Sequence, residues 1–272
     1  MSKVWFITGT SRGLGRAFAQ SALERGDRVA ATARNVDTLD DLVAKYGEDA
    51  VLPLALDVTD RAAASAAVAA AHDKFGRLDV VVNNAGYGLF GMIEEITEQQ
   101  LRDQMETNLF GAFWVTQAVL PILRAQRSGH VVQVSSVGGI AAFPSLGAYH
   151  ASKWALEGFS ESLAQEVAGH GIKVTIVEPG GFTTDWAGSS ASQAQPNPAY
   201  DQVREAIAAR LGDARYADTA HAGAALLQVV DAENPPLRVL FGTEPIEIIL
   251  PIYAQRLQTW ADGEHISRIA QG

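Results

Sequence analysis

Short β-branched runs recur along this chain, and a longer helical pattern separates each from the next. The runs are Val4–Thr8, Arg28–Ala33, Val51–Ala55, Leu78–Val82, His130–Ser135, Lys173–Val177 and Arg238–Phe241. Several are apolar almost throughout, as strands covered on both faces are. The intervening patterns predict helices over Gly13–Arg25, Val36–Tyr46, Asp60–Phe75, Glu98–Arg127 (as one piece or two), Tyr149–His170 and Ala217–Asp231. Thr97 and Gln100 have the spacing of a capping box and mark one helix start. The Ala-rich stretch 62–71 reads as plain helix, because Ala has the highest helix propensity. Strand–helix alternation of this kind predicts an α/β fold, a Rossmann-type doubly wound parallel sheet of about seven strands. Right-handed crossovers then put helices on both faces.

A chain of 272 residues is most simply one domain, 1–272. Its net charge is −10, which favours solubility and argues against nucleic acid or an anionic membrane as the main partner. The sequence has no cysteine, so disulfides, thiolate catalysis and cysteine metal sites are excluded. Its six histidines are scattered without a close pair, so no protein metal site is expected. No signal peptide is read at the start, and no apolar run reaches ~18 residues, so a cytoplasmic protein without a membrane span is expected. Ala187–Pro198 is rich in Ser, Gly, Gln, Asn and Pro, and a loop of that kind inside a compact domain is functional or disordered.

Gly9 ends the first run, and Gly13 and Gly15 open the helix after it. Glycines there permit a tight turn, close approach of backbone to a pyrophosphate, and a helix N-terminus aimed at the phosphates. A plain strand-to-helix turn is the alternative, and the spacing G-x-x-x-G-x-G differs from the general G-x-G-x-x-G fingerprint. Gly9-Thr10-Ser11-Arg12-Gly13 also matches G-x-S-x-G, the nucleophile elbow of serine hydrolases. That fold builds its oxyanion hole from an earlier strand loop, and only eight residues precede Gly9.

Tyr149 and Lys153 are four residues apart, hence on one face of a helix. An ammonium near a phenol lowers its pKa from ~10 and suits it to give or take a proton at neutral pH. Taken alone, such a pair also occurs as simple packing. Ser135 and Ser136 end a run where open parallel sheets place ligands. Asn108 falls near the middle of a long helical pattern, where Asn is a mediocre residue and can mark a kink with a use.

Together these segments resemble the short-chain dehydrogenase/reductase family, in its compact single-domain branch and among its hydroxysteroid and retinol dehydrogenase-like members. Thr8-Gly9-Thr10-Ser11-Arg12-Gly13-Leu14-Gly15 is similar to the family's glycine motif, and Asp57-Val58 to its adenine-side pair. Asn83-Asn84-Ala85-Gly86 resembles N-N-A-G, and Pro179-Gly180, followed by Phe182 and Thr184, resembles the segment holding the nicotinamide. The likeness covers residues 3 to about 185. It implies a catalytic tetrad. Tyr149 is the acid/base, and Lys153 tunes it and binds the nicotinamide ribose. Ser136 positions the reacting carbonyl or carbinol, and Asn108 supports a proton path to Lys153. It also implies cofactor contacts from Gly9, Ser11, Arg12, Gly13, Leu14, Gly15, Arg34, Asp57, Val58, Asn84, Ala85, Gly86, Tyr149, Lys153, Pro179, Gly180, Phe182 and Thr184.

The expected activity is an NADP(H)-dependent oxidoreductase working on a ketone, aldehyde or secondary alcohol. NADP(H) is expected because the second run ends in Ala33-Arg34 without an acid, while Arg12 stands in the glycine turn. The substrate is expected to be apolar, with Phe90, Phe143, Phe182 and Trp186 near it. A catalytically silent NADP(H)-sensing regulator is the alternative of another class. A lid is expected over about 185–212, its core being Asp185–Pro198. A C-terminal extension at about 243–272 departs from the family's usual ending. That departure leaves a homodimer or a homotetramer open.

Overall fold

A computed structural model of the chain describes residues 2–184, 186, 188, 191–211 and 216–272. In chain order its elements are β1 (Val4–Ile7), α1 (Gly13–Glu24), β2 (Arg28–Ala33), α2 (Asp40–Tyr46), β3 (Val51–Ala55), α3 (Arg61–Phe75), β4 (Val80–Asn83) and β5 (Leu89–Phe90). They continue with α4 (Glu98–Met105), α5 (Gly111–Gln126), β6 (Gly129–Val134), α6 (Gly147–Val167), β7 (Ile172–Pro179) and β8 (Ser192–Gln193). The remaining elements are α7 (Asp201–Leu211), α8 (Thr219–Asp231), β9 (Arg238–Phe241), α9 (Glu244–Asp262) and α10 (Glu264–Gln271).

Seven strands form one parallel sheet in the order β3-β2-β1-β4-β6-β7-β9. The order reverses between β1 and β4, so the crevice at their carboxyl ends is a topological switch point, where such sheets bind ligands. Strand periodicity sorts the core. Trp5 and Ile7 pack with Phe18, Leu23 and Leu226 on one side, while Val4 and Phe6 pack with Val68, Val115 and Leu163 on the other. All four of these β1 side chains are fully buried, which explains why the first run is apolar without alternation.

The expected strands all form, with small shifts. Leu78–Val82 becomes Val80–Asn83, and Lys173–Val177 lengthens to Ile172–Pro179. The Thr97–Gln100 capping box starts α4 as read, and Asp60 caps α3 through the Ala63 N–H at 3.0 Å. Between α4 and α5 the chain runs as a π-helical segment, Glu106–Phe110. The helix expected from Ala217 begins at Thr219, because Asp218 is its cap and Ala217 bridges to Phe182. Two features were not anticipated: α7, and the small pairing of β5 with β8.

Of the expected lid, residues 185, 187, 189, 190 and 212–215 lie outside the described residues. Its described part is tied down. Ser192 N–H donates to Gly88 O at 2.9 Å and Ala194 N–H to Phe90 O at 2.8 Å. Asn197 N–H donates to Glu95 Oε1 at 2.7 Å. Among the described residues no helix is long and apolar enough to cross a membrane.

Candidate active site

The glycine turn follows β1. Gly9 and Gly13 have φ of +69° and +61°, the left-handed region that glycine alone enters cheaply. A side chain on Gly9 would meet the Ala85 backbone at 3.0 Å, and one on Gly15 would drive into Asn84 and the Gly9 carbonyl. The turn is clamped to the end of β4. The Thr8 hydroxyl accepts from the Asn84 and Ala85 N–H groups at 2.9 and 3.0 Å. Asn84 Nδ2 donates back to the carbonyls of Thr8 (2.9 Å) and Gly9 (3.1 Å). Asn84 therefore builds the cradle by gripping the turn. Thr8 is its unassigned partner, visible in the sequence only as the first letter of the glycine motif.

The N-cap of α1 is Arg12, which makes no side-chain cap hydrogen bond to the helix, and a helix N-terminus of this kind suits an anion. Ser11, Arg12, Arg34 and Asp57 are all exposed around this helix end and the ends of β2 and β3. Asp57 Oδ1 accepts from the N–H and hydroxyl of Thr59 at 3.0 and 2.8 Å. Val58 is buried, and a side chain on Gly111 of α5 would strike it at 2.6 Å. Leu14 is partly buried against the core beside α1. Thr184 overhangs the turn, 3.5 Å from where a Gly13 side chain would begin. Pro179 ends β7. Gly180 packs on Pro245 of α9 and donates to Phe241 O at 3.0 Å, and Phe182 bridges Ala217.

At the end of β6, Ser136 stands beside the Tyr149 phenol and favours its anion, and its Oγ accepts the Gly138 N–H at 3.0 Å. Tyr149 and Lys153 lie one turn apart on α6, both buried, with the ammonium 5.9 Å from the phenol ring centre. The Lys153 ammonium donates to Val134 O at 2.8 Å. Asn108 sits in the π-helical segment. Its Oδ1 accepts the Tyr87 N–H at 3.0 Å, and its Nδ2 donates to Tyr87 O (3.0 Å) and Ser152 Oγ (3.1 Å). A π-bulge at a functional residue is a common association. A side chain on Gly86 would lie 3.0 Å from Asn108 Oδ1 and 3.6 Å from Lys153 Nζ, so Gly86 lets the β4 loop approach both. The four residues expected as a tetrad are thus linked in series, Ser136 to Tyr149, Tyr149 to Lys153, and Lys153 to Asn108 across Gly86.

The electrostatics differ from the sequence expectation in one respect. The Tyr149 phenol is not lowered; burial pushes it up to about 12, against a smaller opposing effect of Ser136. Burial also pulls Lys153 down to about 8, with Glu157 holding it up. The reason is directional. The ammonium faces the Val134 carbonyl, while the phenol is walled in by the Trp186 ring, 4.9 Å away edge-on.

Phe90 and Trp186, both expected near the substrate, meet at 5.3 Å and make an aromatic wall over Tyr149. Other contributors escaped the sequence reading. His150 accepts the Phe143 N–H at Nε2 (2.9 Å) and faces Gly138 O through Nδ1 (2.8 Å). That geometry assigns the proton to Nδ1 and pins the loop carrying Ser136 to α6. His150 and Ser152 both lie in the Tyr149–Lys153 segment, but they also bond outside it, His150 to Gly138 and Phe143 and Ser152 to Asn108. Phe90, Gly91, Ser145, Ala194 and Ile207 line a cleft next to this wall.

Residues 3–195 match the family described as short chain dehydrogenase. Oxidoreductase BOA17 of Botryotinia fuckeliana (strain B05.10) is 48% identical over 250 residues, 91% of this chain and 91% of that protein. A short-chain dehydrogenase from Streptomyces avermitilis has a crystal structure with TM-score 0.93 and 41% identity, covering 99% of this chain and 98% of that one. A short chain dehydrogenase from Burkholderia cenocepacia J2315, solved in complex with NADP, has TM-score 0.76 and 26% identity over 96% of this chain and 97% of its own.

Proposed function

The chain belongs to the short chain dehydrogenase family of oxidoreductases, and from that premise we propose that it is an NADP(H)-dependent carbonyl reductase or alcohol dehydrogenase. The observation carrying the proposal is the convergence of Ser136, Tyr149, Lys153 and Asn108 beside a glycine cradle whose positions would be filled by any Cβ. The cradle fits a dinucleotide. Gly9 and Gly13 make the positive-φ turn that would bring backbone to a pyrophosphate at the α1 N-terminus, Gly15 lets Asn84 and the Gly9 carbonyl pack against the helix, and Gly86 opens the site toward Lys153. Ser11, Leu14, Ala85, Thr184 and the Pro179–Phe182 stretch would border the cofactor, with Asp57 and Val58 on its adenine side. Arg12 and Arg34 suit a ribose 2′-phosphate, which guanidinium grips better than a hydroxyl. The NADP seen in the Burkholderia cenocepacia relative supports the same choice.

When bound, a nicotinamide cofactor supplies or accepts the hydride. The chain supplies the proton. Tyr149, held as a neutral phenol by burial, gives its proton to the substrate oxygen as carbonyl becomes alcohol, and takes it back in the reverse direction. Ser136 orients that oxygen from the other side, and Lys153 places positive charge where the phenolate forms. Asn108, bonded to Tyr87 and Ser152, fixes the surrounding backbone. The aromatic wall of Phe90 and Trp186 favours an apolar substrate and excludes water.

Absorbance at 340 nm with a panel of ketones and aldehydes tests the reading. NADPH consumption by at least one apolar carbonyl is expected, faster than with NADH. A chain that binds NADPH but turns over no member of the panel in either direction points instead to a cofactor-sensing regulator.

A further inference from the structure

The C-terminal helix α9 carries two apolar faces, and among the described residues only one packs against the sheet domain, the other touching it no further than the Arg256 guanidinium over Tyr253. Ile249 is buried against Ile140 and Ala141, with Pro245 seated on Gly180. Arg256 locks this face, donating to Ile140 O at 2.8 Å with its guanidinium over Trp154. The second face is exposed. It consists of Ile246, Leu250, Tyr253, Leu257 and Trp260, the last 70% exposed. Ile266 and Ile269 extend the apolar surface along α10.

The spacing of this stripe says what covers it. Steps of four, three, four and three residues keep all five side chains within a narrow strip of the helix. A strip that narrow is the seam of a helix pair, whereas the core-facing stripe of a globular helix is wider. The stripe is two-fold to within one residue, since Ile246 and Trp260 each lie seven residues from Tyr253 while Leu250 and Leu257 lie three and four residues from it. We infer that a second copy of this chain docks on α9, its own α9 running antiparallel about a two-fold axis beside Tyr253. Ile246 then meets Trp260 of the other copy, and Leu250 meets Leu257. Glu244 and Asp262 project from the far side of the helix, away from the seam. At roughly 100 Å² for each of seven exposed side chains, α9 and α10 offer on the order of 700 Å², near the ~800 Å² per partner of a standard interface. An exposed apolar patch of that size marks an interaction site. A lipid surface is the poorer occupant. Interfacial helices carry Lys and Arg on their polar face, but here Glu244, Glu247, Asp262 and Glu264 outnumber Arg256 and Arg268.

The absence of cysteine makes the test direct. Tyr253→Cys introduces a single thiol at the axis, close enough to its symmetry mate for a disulfide, which needs Cα atoms within ~7 Å. Gln255→Cys introduces one on the opposite side of α9. Mild oxidation with diamide, read on a non-reducing gel, is expected to link Y253C into covalent dimers and leave Q255C unlinked. Leu257→Asp is expected to halve the mass seen by sedimentation equilibrium, with unchanged thermal unfolding reporting an intact fold. Equal linking of both cysteine variants, linking of neither, or an L257D mass equal to the parent's would each overturn the interface. So would pelleting of the parent, but not L257D, with phosphatidylcholine vesicles, which would assign the stripe to lipid.

Discussion

Lys153 and Glu157 stand one turn apart on α6, and the carboxylate keeps charge on an ammonium that burial works to discharge. Glu157 is itself held by Arg238, Nε to Oε2 at 3.1 Å. Lys153 lies at about 8, so activity that requires its charge falls as pH rises through that value. Glu157→Gln removes the supporting charge and moves this alkaline limb to lower pH. The kcat/KM profile against pH measures it. An unmoved limb in E157Q would show that Lys153 does not sense Glu157.

Tyr149→Phe is expected to reduce turnover by about 10²–10⁴-fold, the usual contribution of a positioned acid. Cofactor affinity should change little, since only one buried hydroxyl is lost. Lys153→Ala is expected to weaken both rate and cofactor binding. Fluorescence titration with NADPH separates the two variants, and a Tyr149→Phe enzyme with near-parent kcat would remove Tyr149 from the chemistry.

How far the sequence reaches is visible in these residues. The seven strands were legible because burial on both faces writes itself as apolar runs, whereas Gly9, Tyr149 and Lys153 stood out only in combination, since each spacing alone also occurs in plain turns and packed helices. Asn84 shows a limit. Its place in the motif was clear, but its grip on the Thr8 and Gly9 carbonyls depends on β4 lying beside β1, a contact 75 residues away in sequence. The direction of the Tyr149 shift was misread for a similar reason, because desolvation depends on Trp186, which only folding brings to the ring. Strand β8 is two residues long and carries no periodicity to detect.

Arg34 lies at the carboxyl end of β2, where an acidic residue would select NAD. Arg34→Ala is expected to cost NADPH ~1.5–3 kcal/mol, roughly 10- to 150-fold in kcat/KM, and to leave NADH nearly unchanged. The ratio of the two cofactors' kcat/KM values before and after substitution measures this. An equal loss with both cofactors would mean that Arg34 does not read the 2′-phosphate.

Two glycine-to-alanine substitutions should have opposite outcomes. In Gly15→Ala the new methyl enters the space of Asn84 Nδ2 and the Gly9 carbonyl, both fixed by their mutual hydrogen bond. Overpacking of this kind costs ~1–3 kcal/mol and should also weaken NADPH binding. In Gly158→Ala nothing lies within 4 Å of the new atom, and the site is inside α6. There the higher helix propensity of Ala is worth ~0.5–1 kcal/mol of added stability. Thermal unfolding of the two variants tests the pair, and a tolerated G15A would remove the close-packing explanation of the glycine turn.

Glu178, buried near the end of β7, should make the fold weaken as pH rises through neutrality toward 8. Burial, then the neighbouring Glu157, push its carboxyl up to about 8, while Arg238 opposes them. The native state therefore keeps a proton that the unfolded chain releases near 4.5. Stability from this group is complete below that value and is lost as pH rises through about 8. His130 acts in the other sense. Burial pulls it down to about 4 from 6.5, so its contribution is lost as pH falls through that interval, and it is silent above 6.5. Lys153 begins to titrate only at about 8. Between 6.5 and 8 the Glu178 effect stands alone of these three, with a slope of up to ~1.4 kcal/mol per pH unit. Urea midpoints measured across that window should decline in the parent and stay level in Glu178→Gln, which carries the neutral form at every pH. A decline of the same size in E178Q would assign the alkaline sensitivity to another group.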